Sequence, residues 1–452
     1  MAKKKKKKRI SKPEAKPEAK PIAEPVLIAP PKSRGRRRAE IVVWSVIVFW
    51  LFISYRVNVF YSASVGQWIS AFLSPTFQVP PAHTLDYSMG FLPRALSGQL
   101  LTIFTGGSIT GQTGGAYFLA LNVITYGLLA LILGILIAKA ISAKNYLLAL
   151  FPLLIIFTPQ AVWCRAFPHE TYDTLMFLFT LAAFFLVRNE KLMWLVPVCA
   201  CLGIMANYSY VLLFFPLVFA LQYYELMKSG IKRTRLYNLI VTVVSSFALE
   251  AYMLWAPLNS ERVSKYSFAE AIAYLERKAG YTFTKNELWY LSSAIFGRHA
   301  DGEKIGFNDY STFSQYNWFD PTFYVDALLI CAPLLIFTLA IWRRHVKGEV
   351  GFWQKSPYML FMLAPAIIFP VFLLFGDLDR LVSAVLFTQA LLMAYVFFAD
   401  GQNEAFMRLK KMGTGKYRWL LFAAVLLGVI LPLLVFRSAG WLIPSTKQPI
   451  FM

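Results

Sequence analysis

The sequence predicts an all-α, polytopic membrane protein: a bundle of about eleven transmembrane helices with short amphipathic helices on its outer face. Three observations predict this class. Of 452 residues, 58% are hydrophobic and only 15% are charged, whereas soluble domains are nearer to about 25% charged. Uncharged runs of roughly 18 or more residues recur along the chain, as membrane spans require. Within these runs the apolar residues are continuous rather than alternating, which indicates helices.

The predicted spans follow the apolar runs, and their bounds carry errors of several residues. They are 41–60, 116–137, 146–163, 174–187, 192–207, 211–226, 237–257, 323–342, 357–375, 381–399 and 419–437.

The formal net charge of +21 is distributed as the positive-inside rule describes, which argues against nucleic-acid binding. Residues 1–39 form a tail rich in Lys, Pro and Arg, and we expect this tail to be disordered and cytoplasmic. The C-terminal residues 438–452 are then outside. Basic residues recur in the alternate loops on the side of the tail: Lys139, Lys144, Arg188, Lys191, Lys228, Lys232, Arg233, Arg235, Arg343, Arg344, Lys347, Lys410, Lys411, Lys416 and Arg418.

The same assignment divides the chain into an N-terminal membrane bundle, 40–257, and a C-terminal one, 323–452. Two long loops lie on the outer side: 61–115 and 258–322. In the second loop, Ser267 to Glu270 and Thr284 to Glu287 have the spacing of capping boxes. We therefore expect two short amphipathic helices there, forming a folded cap at the membrane face. A merely solvated loop is the alternative.

Ionisable residues gather in three clusters on the predicted outer side, each directly beside an apolar run. At that depth such groups usually face a cavity and a partner. Carboxylates and a histidine provide a base or bind a cation, and arginine matches the oxygens of phosphate. The clusters suit a phosphate-linked, lipid-borne substrate. They consist of Asp86 and Arg94; of Arg165, His169, Glu170 and Asp173; and of Asp377, Asp379 and Arg380.

Each cluster also has a structural interpretation. Asp86 and Arg94 would tie a short interfacial helix down, and His169 with Glu170 would cap the next helix. The segment 377–380 would be a turn closed by an ion pair. Glu250 lies in the outward half of span 237–257, where a carboxyl group has to face a cavity or a partner unless it is neutral. A purely structural role and a functional role both remain open for Glu250.

The layout resembles that of the GT-C-type integral-membrane glycosyltransferases. Shared features are an inside N-terminus, a first outer loop with an Asp before an interfacial helix, and a large late outer loop. The segments 86–94 and 377–380 are also similar to bacterial multi-spanning proteins of surface-polysaccharide type. The resemblance implies that Asp86 is the catalytic base and that a polyprenyl-phosphate sugar is the donor. Many members carry a pair of acidic residues where this chain has Asp86 alone, so a divalent metal stays an open question.

The favoured function is therefore a membrane transferase that moves a sugar from a polyprenyl-phosphate-type lipid to an acceptor at the outer face. Asp86 would be the base, and Arg94, Arg165 or Arg380 would hold the phosphate. Supporting roles fall to His169, Glu170, Asp173, Glu250, Asp377 and Asp379. The implied partners are the bilayer and the lipid-linked donor, and the implied location is a bacterial inner membrane. The alternatives are a lipid or solute transporter or flippase, and a non-catalytic assembly protein.

Overall fold

Most of the part of the chain that the structure describes is helical. This computed structural model describes residues 34–142 apart from residue 62, then 149, 173–284, 287–288, 291, 321–368 and 378–399, with isolated positions between 415 and 430. Within these residues no β-strand occurs. In parts of some helices, including 321–331 and 378–383, the description covers the backbone alone.

The described residues form a series of α-helices, with residues 143–148, 150–172 and 369–377 outside the description. In chain order they are α1 (Arg34–Tyr61), α2 (Val65–Phe72), α3 (Ala95–Phe104), α4 (Gly111–Ser142), α5 (Asp173–Leu186), α6 (Val196–Ala206), α7 (Tyr210–Leu213), α8 (Phe215–Lys228), α9 (Arg233–Leu258), α10 (Ser260–Val263), α11 (Phe268–Ala279), α12 (Pro321–Gly348), α13 (Phe352–Ile368) and α14 (Leu378–Ala399). Three 3₁₀ turns add Pro81–His83, Tyr87–Met89 and Met193–Leu195.

Among the described residues, three helices are long and apolar enough to cross a membrane: Gly35–Tyr55, Gly111–Ser142 and Arg233–Leu258. Large apolar side chains of α1 and α9 lie on the surface of the molecule, for example Val46, which is 61% exposed, and Val244, which is 62% exposed. Contiguous exposed apolar faces of this kind fit lipid and not water. The described residues therefore establish an all-helical chain with candidate membrane spans, while the total of about eleven spans stays a prediction.

The helices α1 and α4 pack closely against each other, because Gly134 presents no side chain at their contact. A Cβ atom at Gly134 would clash with the side chain and the backbone of Ser45 on α1. Small residues at helix contacts let backbones approach within the bilayer, where dispersion contacts replace the hydrophobic effect as the cause of association. The close contact of Gly134 with Ser45 thus explains how α1 and α4, which contain the first two predicted spans, pack into one unit.

The helices between Asp173 and Lys228 are short for membrane spans, as the 14-residue predicted span 174–187 already is. The helices α5, α6 and α8 have 14, 11 and 14 residues, whereas crossing a hydrocarbon core of about 30 Å takes about 20 residues. Asn207 ends α6 with an extended backbone, and its side chain accepts a hydrogen bond from the Ser209 amide at 3.0 Å. This break was predicted, since the predicted spans 192–207 and 211–226 end and begin on either side of it.

Other predicted boundaries shift or fall outside the description. The helix α1 begins at Arg34, so residues 34–39 of the predicted tail belong to a helix, with Arg36 and Glu40 paired one turn apart at 3.6 Å. The predicted spans 146–163 and 419–437 and residues 1–33 lie outside the described ranges, apart from isolated positions.

The two long loops fold together at one end of the bundle, here called the loop end and comprising residues 63–110, 259–284, 287–288 and 291. The predicted helix after Ser267 is confirmed as α11, with both hydrogen bonds of the capping box and with Gly280 left-handed (φ 80°) at its end. The capping contacts of Thr284 with Glu287 also form. A separate apolar core joins the two loops, so the apolar face of α11 covers the first loop. This core consists of Leu85, Met89, Leu92, Ala95, Ala271, Leu275, Phe283 and Leu291.

Candidate functional site

Asp86 occupies a position fixed by local backbone structure in the first long loop. Its side chain caps the 3₁₀ turn Tyr87–Met89 by accepting a hydrogen bond from the Ser88 amide at 3.0 Å, and the Ser88 hydroxyl donates to the same oxygen. The hydroxyl of Thr102 on α3 approaches the other carboxylate oxygen at 3.4 Å. The carboxylate is therefore held by three groups of its own loop and the helix that follows.

The main partner of Asp86 comes from the other long loop. The ammonium group of Lys278, in the last turn of α11, forms an ion pair with Asp86 Oδ2, and the two side chains are only 10% and 5% exposed. Beside this pair, Ser88 Oγ and Tyr274 Oη lie 3.1 Å apart. A buried ion pair between segments 192 residues apart thus fastens α11 to the first loop.

The surroundings favour the ionised form of Asp86. Burial on its own would raise the pKa, but the hydrogen bonds from Lys278 and Ser88 and the ammonium charge outweigh it and hold the pKa of the carboxyl below its ordinary value of 3.8. The group is therefore a carboxylate at neutral pH, as a general base must be. A base that is already neutralised by an ammonium group is a weak one, so proton abstraction requires that Lys278 turn away.

Arg94 lies at the start of α3 in a left-handed backbone conformation (φ 65°), which is uncommon for a residue with a side chain. Its guanidinium group donates to the Tyr208 hydroxyl at 3.0 Å and lies over the Tyr208 ring, 4.9 Å from the ring centre. Tyr208 belongs to the turn between α6 and α7. The structure therefore pairs Asp86 with Lys278 and not with Arg94.

The remaining predicted residues are only partly described. Asp173 is buried in the first turn of α5, where a carboxylate complements the helix dipole. Glu250 is half-buried in α9, and its Oε2 atom is buried without a hydrogen bond from any described residue. Asp379 and Arg380 open α14, with only their backbone described. Arg165, His169, Glu170 and Asp377 lie outside the described residues.

Sequence reasoning missed the residues that complete the site: Lys278, Tyr274 and Tyr208. No local pattern points to them, because each meets its partner across more than 100 residues of sequence. A second missed pair is His83 and Ser97, whose Nδ1 and Oγ atoms lie 2.6 Å apart. Both residues are buried, and their contact holds α3 to the first loop.

The charges around the candidate site are thus the ionised Asp86, the Lys278 ammonium group beside it and the Arg94 guanidinium group at the start of α3. No cluster of three or more metal-ligating side chains occurs among the described residues. Comparison of the chain with protein-family models, curated proteins and solved structures finds no match.

Proposed function

We propose that the protein is a membrane transferase that moves a sugar from a polyprenyl-phosphate-type lipid to an acceptor at the loop end of the bundle. The observation that carries the proposal is the buried ion pair of Asp86 and Lys278 where the two long loops meet. Buried charges are costly and are retained where they have a structural or a chemical use. An acid and a cation in one apolar enclosure are what transfer from a phosphate requires.

In the proposed step, an acceptor hydroxyl oxygen attacks the anomeric carbon of the donor sugar. Asp86 takes the hydroxyl proton, the bond from the anomeric carbon to the phosphate oxygen breaks, and the polyprenyl phosphate leaves with that electron pair. Lys278 and Arg94 neutralise the charge that develops on the leaving phosphate. The apolar helices beside the loops hold the lipid chain.

The proposed role of Lys278 follows from its flexibility. The phosphodiester of the donor carries one negative charge, as a carboxylate does, and gains a second as the polyprenyl phosphate leaves, so it would compete with Asp86 for the ammonium group. Donor binding would then move Lys278 to the phosphate and release the carboxylate as a stronger base. The resting ion pair would protect the site in the absence of donor.

The direct test is Asp86→Asn, assayed in membranes as transfer from radiolabelled polyprenyl-phosphate sugars. Loss of a positioned base lowers the rate by about 10²–10⁴-fold. Because the single change leaves Lys278 buried without its counter-ion, the double variant Asp86→Asn with Lys278→Gln is measured beside it. This double variant removes both charges and keeps the loops folded. Near-normal transfer by the folded double variant would remove Asp86 from the chemistry.

We further propose that the loop end faces outward across a bacterial inner membrane, with the N-terminus in the cytoplasm and the C-terminus outside. Support comes from Lys139, Arg188 and Lys228, which lie at the same end of the bundle as the start of α1. Cysteines introduced in 258–322 should react with an impermeant reagent from outside, and cysteines in 404–416 should not. The reverse labelling pattern would overturn this orientation.

A transporter is the second candidate, and Glu250 is the observation that favours it. A carboxyl group in a candidate span with a buried oxygen suits a proton or cation site. Glu250→Gln should then abolish substrate uptake into vesicles, while leaving sugar transfer intact. If Glu250→Gln leaves uptake unchanged for every substrate tested, the transporter candidate loses its support.

A further inference from the structure

A line of polar side chains follows α9, a helix that is long and apolar enough to cross a membrane. Its members recur at every fourth position, and they are Asn238, Thr242, Ser246 and Glu250. The first three are 3%, 0% and 0% exposed, and Glu250 is half-buried. Because residues four apart lie one above the other on a helix, neighbouring members of the line share a side of α9, and their burial shows that this side faces the bundle.

The line begins beside two polar contacts between α8 and α9. Glu225 on α8 meets Arg235 on α9 at 3.2 Å. One turn further into the span, Gln222 on α8 donates from Nε2 to Asn238 Oδ1 at 2.6 Å and to Thr242 Oγ1 at 2.9 Å. Side chains of the protein therefore join the first part of the line into a hydrogen-bonded chain.

Buried polar atoms continue the line beyond these contacts. Gln222 Oε1, Ser246 Oγ and Glu250 Oε2 are all buried, and none of them has a hydrogen bond with a described residue. An unsatisfied polar atom in an apolar interior costs about 1–3 kcal/mol, and buried polar groups nearly always have a protein or water partner. Three such atoms along one line indicate a polar ligand that supplies the missing hydrogen bonds.

The spacing of the line fits water. Residues four apart are separated by about 6 Å along a helix axis, which is too far for direct hydrogen bonds between the side chains of Thr242, Ser246 and Glu250. Two hydrogen bonds of about 2.8 Å in series nearly cover this distance, so one water molecule can bridge each gap. A metal cation would instead need several oxygen atoms around a single point, whereas this line presents its oxygen atoms one after another.

The two ends of the line lie toward opposite ends of α9. Arg235 is in the first turn of α9 and lies 3.9 Å from Glu190, whose side chain is 59% exposed. Glu250 is in the last third of the helix. Two residues beyond it, the Tyr252 hydroxyl donates to the carbonyl oxygen of Phe91 in the first long loop at 3.0 Å. The line thus extends through the helix toward the two sides that a membrane would separate.

We propose that the buried side of α9 is a proton pathway, in which a file of water molecules between Gln222 and Glu250 carries protons along the candidate span. A water or hydroxyl oxygen can both accept and donate. Each member therefore takes a proton from one neighbour, releases another to the next and returns to its original charge. The Glu250 carboxylate becomes neutral when it takes the proton and is restored when it releases the proton toward the loop end. The pathway is separate from the proposed transferase site and does not depend on it.

The test uses the full-length protein reconstituted into phosphatidylcholine vesicles that enclose a pH-sensitive dye. Valinomycin and a potassium gradient make the vesicle interior negative, and the dye reports the entry of protons. Vesicles with the wild-type protein should admit protons faster than protein-free vesicles. Glu250→Gln should reduce proton entry to the level of protein-free vesicles, because an amide does not take up the proton that a carboxylate accepts.

Ser246→Ala is the sharper variant, because the hydroxyl group that it removes bonds to no described residue. This variant should fold at least as stably as the wild type and should lose most of the proton entry. The matched control is Ser245→Ala, on the neighbouring position outside the line. The Ser245 hydroxyl donates to the Thr242 carbonyl at 3.4 Å and accepts from the Cys201 thiol at 3.5 Å, and its removal should leave proton entry at the wild-type rate.

The outcome for Ser246→Ala decides between a water file and an isolated buried hydroxyl group. If Ser246 is only a buried hydroxyl group, the substitution will raise the melting temperature and leave proton entry unchanged, and the proposal fails. Wild-type vesicles that admit protons no faster than protein-free vesicles would overturn it as well. Either failure leaves the transferase proposal intact, since the Asp86→Asn assay measures sugar transfer at a different site.

Discussion

Among the residues that the structure describes, an ion pair with little exposure lies at each end of the bundle, and the two pairs are built differently. At the loop end, Asp86 meets Lys278, and apolar residues of both loops surround them. At the opposite end, here called the basic end and comprising residues 187–192 and 225–235, Glu225 meets Arg235 at 3.2 Å, with side chains that are 10% and 8% exposed. Lys228 and Lys232 lie on the same segments. The first pair is close to neutral in an apolar enclosure, whereas the second belongs to a positively charged surface.

The comparison shows that the choice of lysine or arginine as the cation decides whether a buried ion pair can exchange its partner. Lysine carries a compact charge on a flexible stem and can turn toward another anion, whereas the planar guanidinium group of arginine is always charged. Lys278 can therefore release Asp86, as the proposed transfer requires. Arg235 also donates to the carbonyl of Val187 at 3.3 Å, so it is anchored between α5 and α8. The ion pair at the loop end can therefore exchange its partner, whereas the ion pair at the basic end keeps the same partner.

The largest expected effect comes from breaking the basic-end pair with Glu225→Gln. Removing one member of a buried pair typically costs about 3–5 kcal/mol, and the arginine left behind cannot lose its proton. Asp86→Asn should cost less, because Lys278 can turn toward water or become neutral. Thermal unfolding of the two variants in the same detergent compares them directly.

The control for this comparison is the exposed pair of Lys232 with Glu190, whose side chains are 54% and 59% exposed. Lys232→Gln should leave the melting temperature unchanged within error, because solvent screens such pairs. An Asp86→Asn variant less stable than Glu225→Gln would contradict the distinction between the two ends.

The second prediction concerns the close contact that positions Asp86. A Cβ atom at Gly98 on α3 would clash with the backbone oxygens of Leu85 and His83. Gly98→Ala should therefore destabilise the protein by about 1–3 kcal/mol or more, because backbone atoms cannot give way as a side chain does. The measurements are the melting temperature and protease sensitivity of the loop end.

Gly127 in α4 supplies the matched control, since nothing lies within 4 Å of the position that a Cβ atom would take there. Gly127→Ala should be neutral or slightly stabilising, because alanine favours the helix by up to about 1 kcal/mol. Equal effects of the two substitutions would show that the loop end can move to accept a side chain at residue 98.

The features that the sequence predicted correctly are determined by residues that lie close together in the sequence. The helices α1, α4 and α9 follow from long apolar runs, and the start of α11 follows from Ser267 and Glu270, three residues apart. The break after Asn207 was also predicted, because the apolar runs 192–207 and 211–226 are separated there by a few less apolar residues. The partner of Asp86 was missed because periodicity and capping carry no information about a lysine 192 residues away.

A third prediction uses pH to separate the contribution that the charge of Asp86 makes to stability from the contribution of its side-chain shape. The folded protein holds the pKa of Asp86 below its ordinary value of 3.8, so the carboxylate contributes stability above that value. This contribution is lost as the pH falls below about 3.8 toward the lower folded pKa. The gap in melting temperature between wild type and Asp86→Asn should therefore narrow between about pH 5 and pH 3. A constant gap would mean that the ion pair is not what Asp86 contributes.

The smallest expected effect comes from removing the N-cap of α11. It tests whether this cap stabilises the ion pair between Lys278 on α11 and Asp86. The Ser267 hydroxyl accepts a hydrogen bond from the Glu270 amide at 3.4 Å, and the Glu270 side chain accepts from the Ser267 amide at 2.9 Å. Ser267→Ala removes an N-cap worth about 1 kcal/mol, and the loss should be felt at the loop end alone. Glu270→Gln is the matched control, because glutamine also completes a capping box.

Hydrogen exchange of the amides in α11 and in residues 85–95 is the measurement that resolves this small change. In Ser267→Ala, protection should fall in α11 and, through Lys278 and the shared apolar core, in the first loop, while the amides of α8 and α9 at the basic end keep theirs. If the two loops open together, the ion pair and the core act as one cooperative unit, and Lys278 leaves Asp86 only when a competing anion binds. If α11 loosens while residues 85–95 stay protected, the pair contributes little to holding the loops together. The resting carboxylate would then already be accessible, and the proposed exchange with phosphate would be unnecessary.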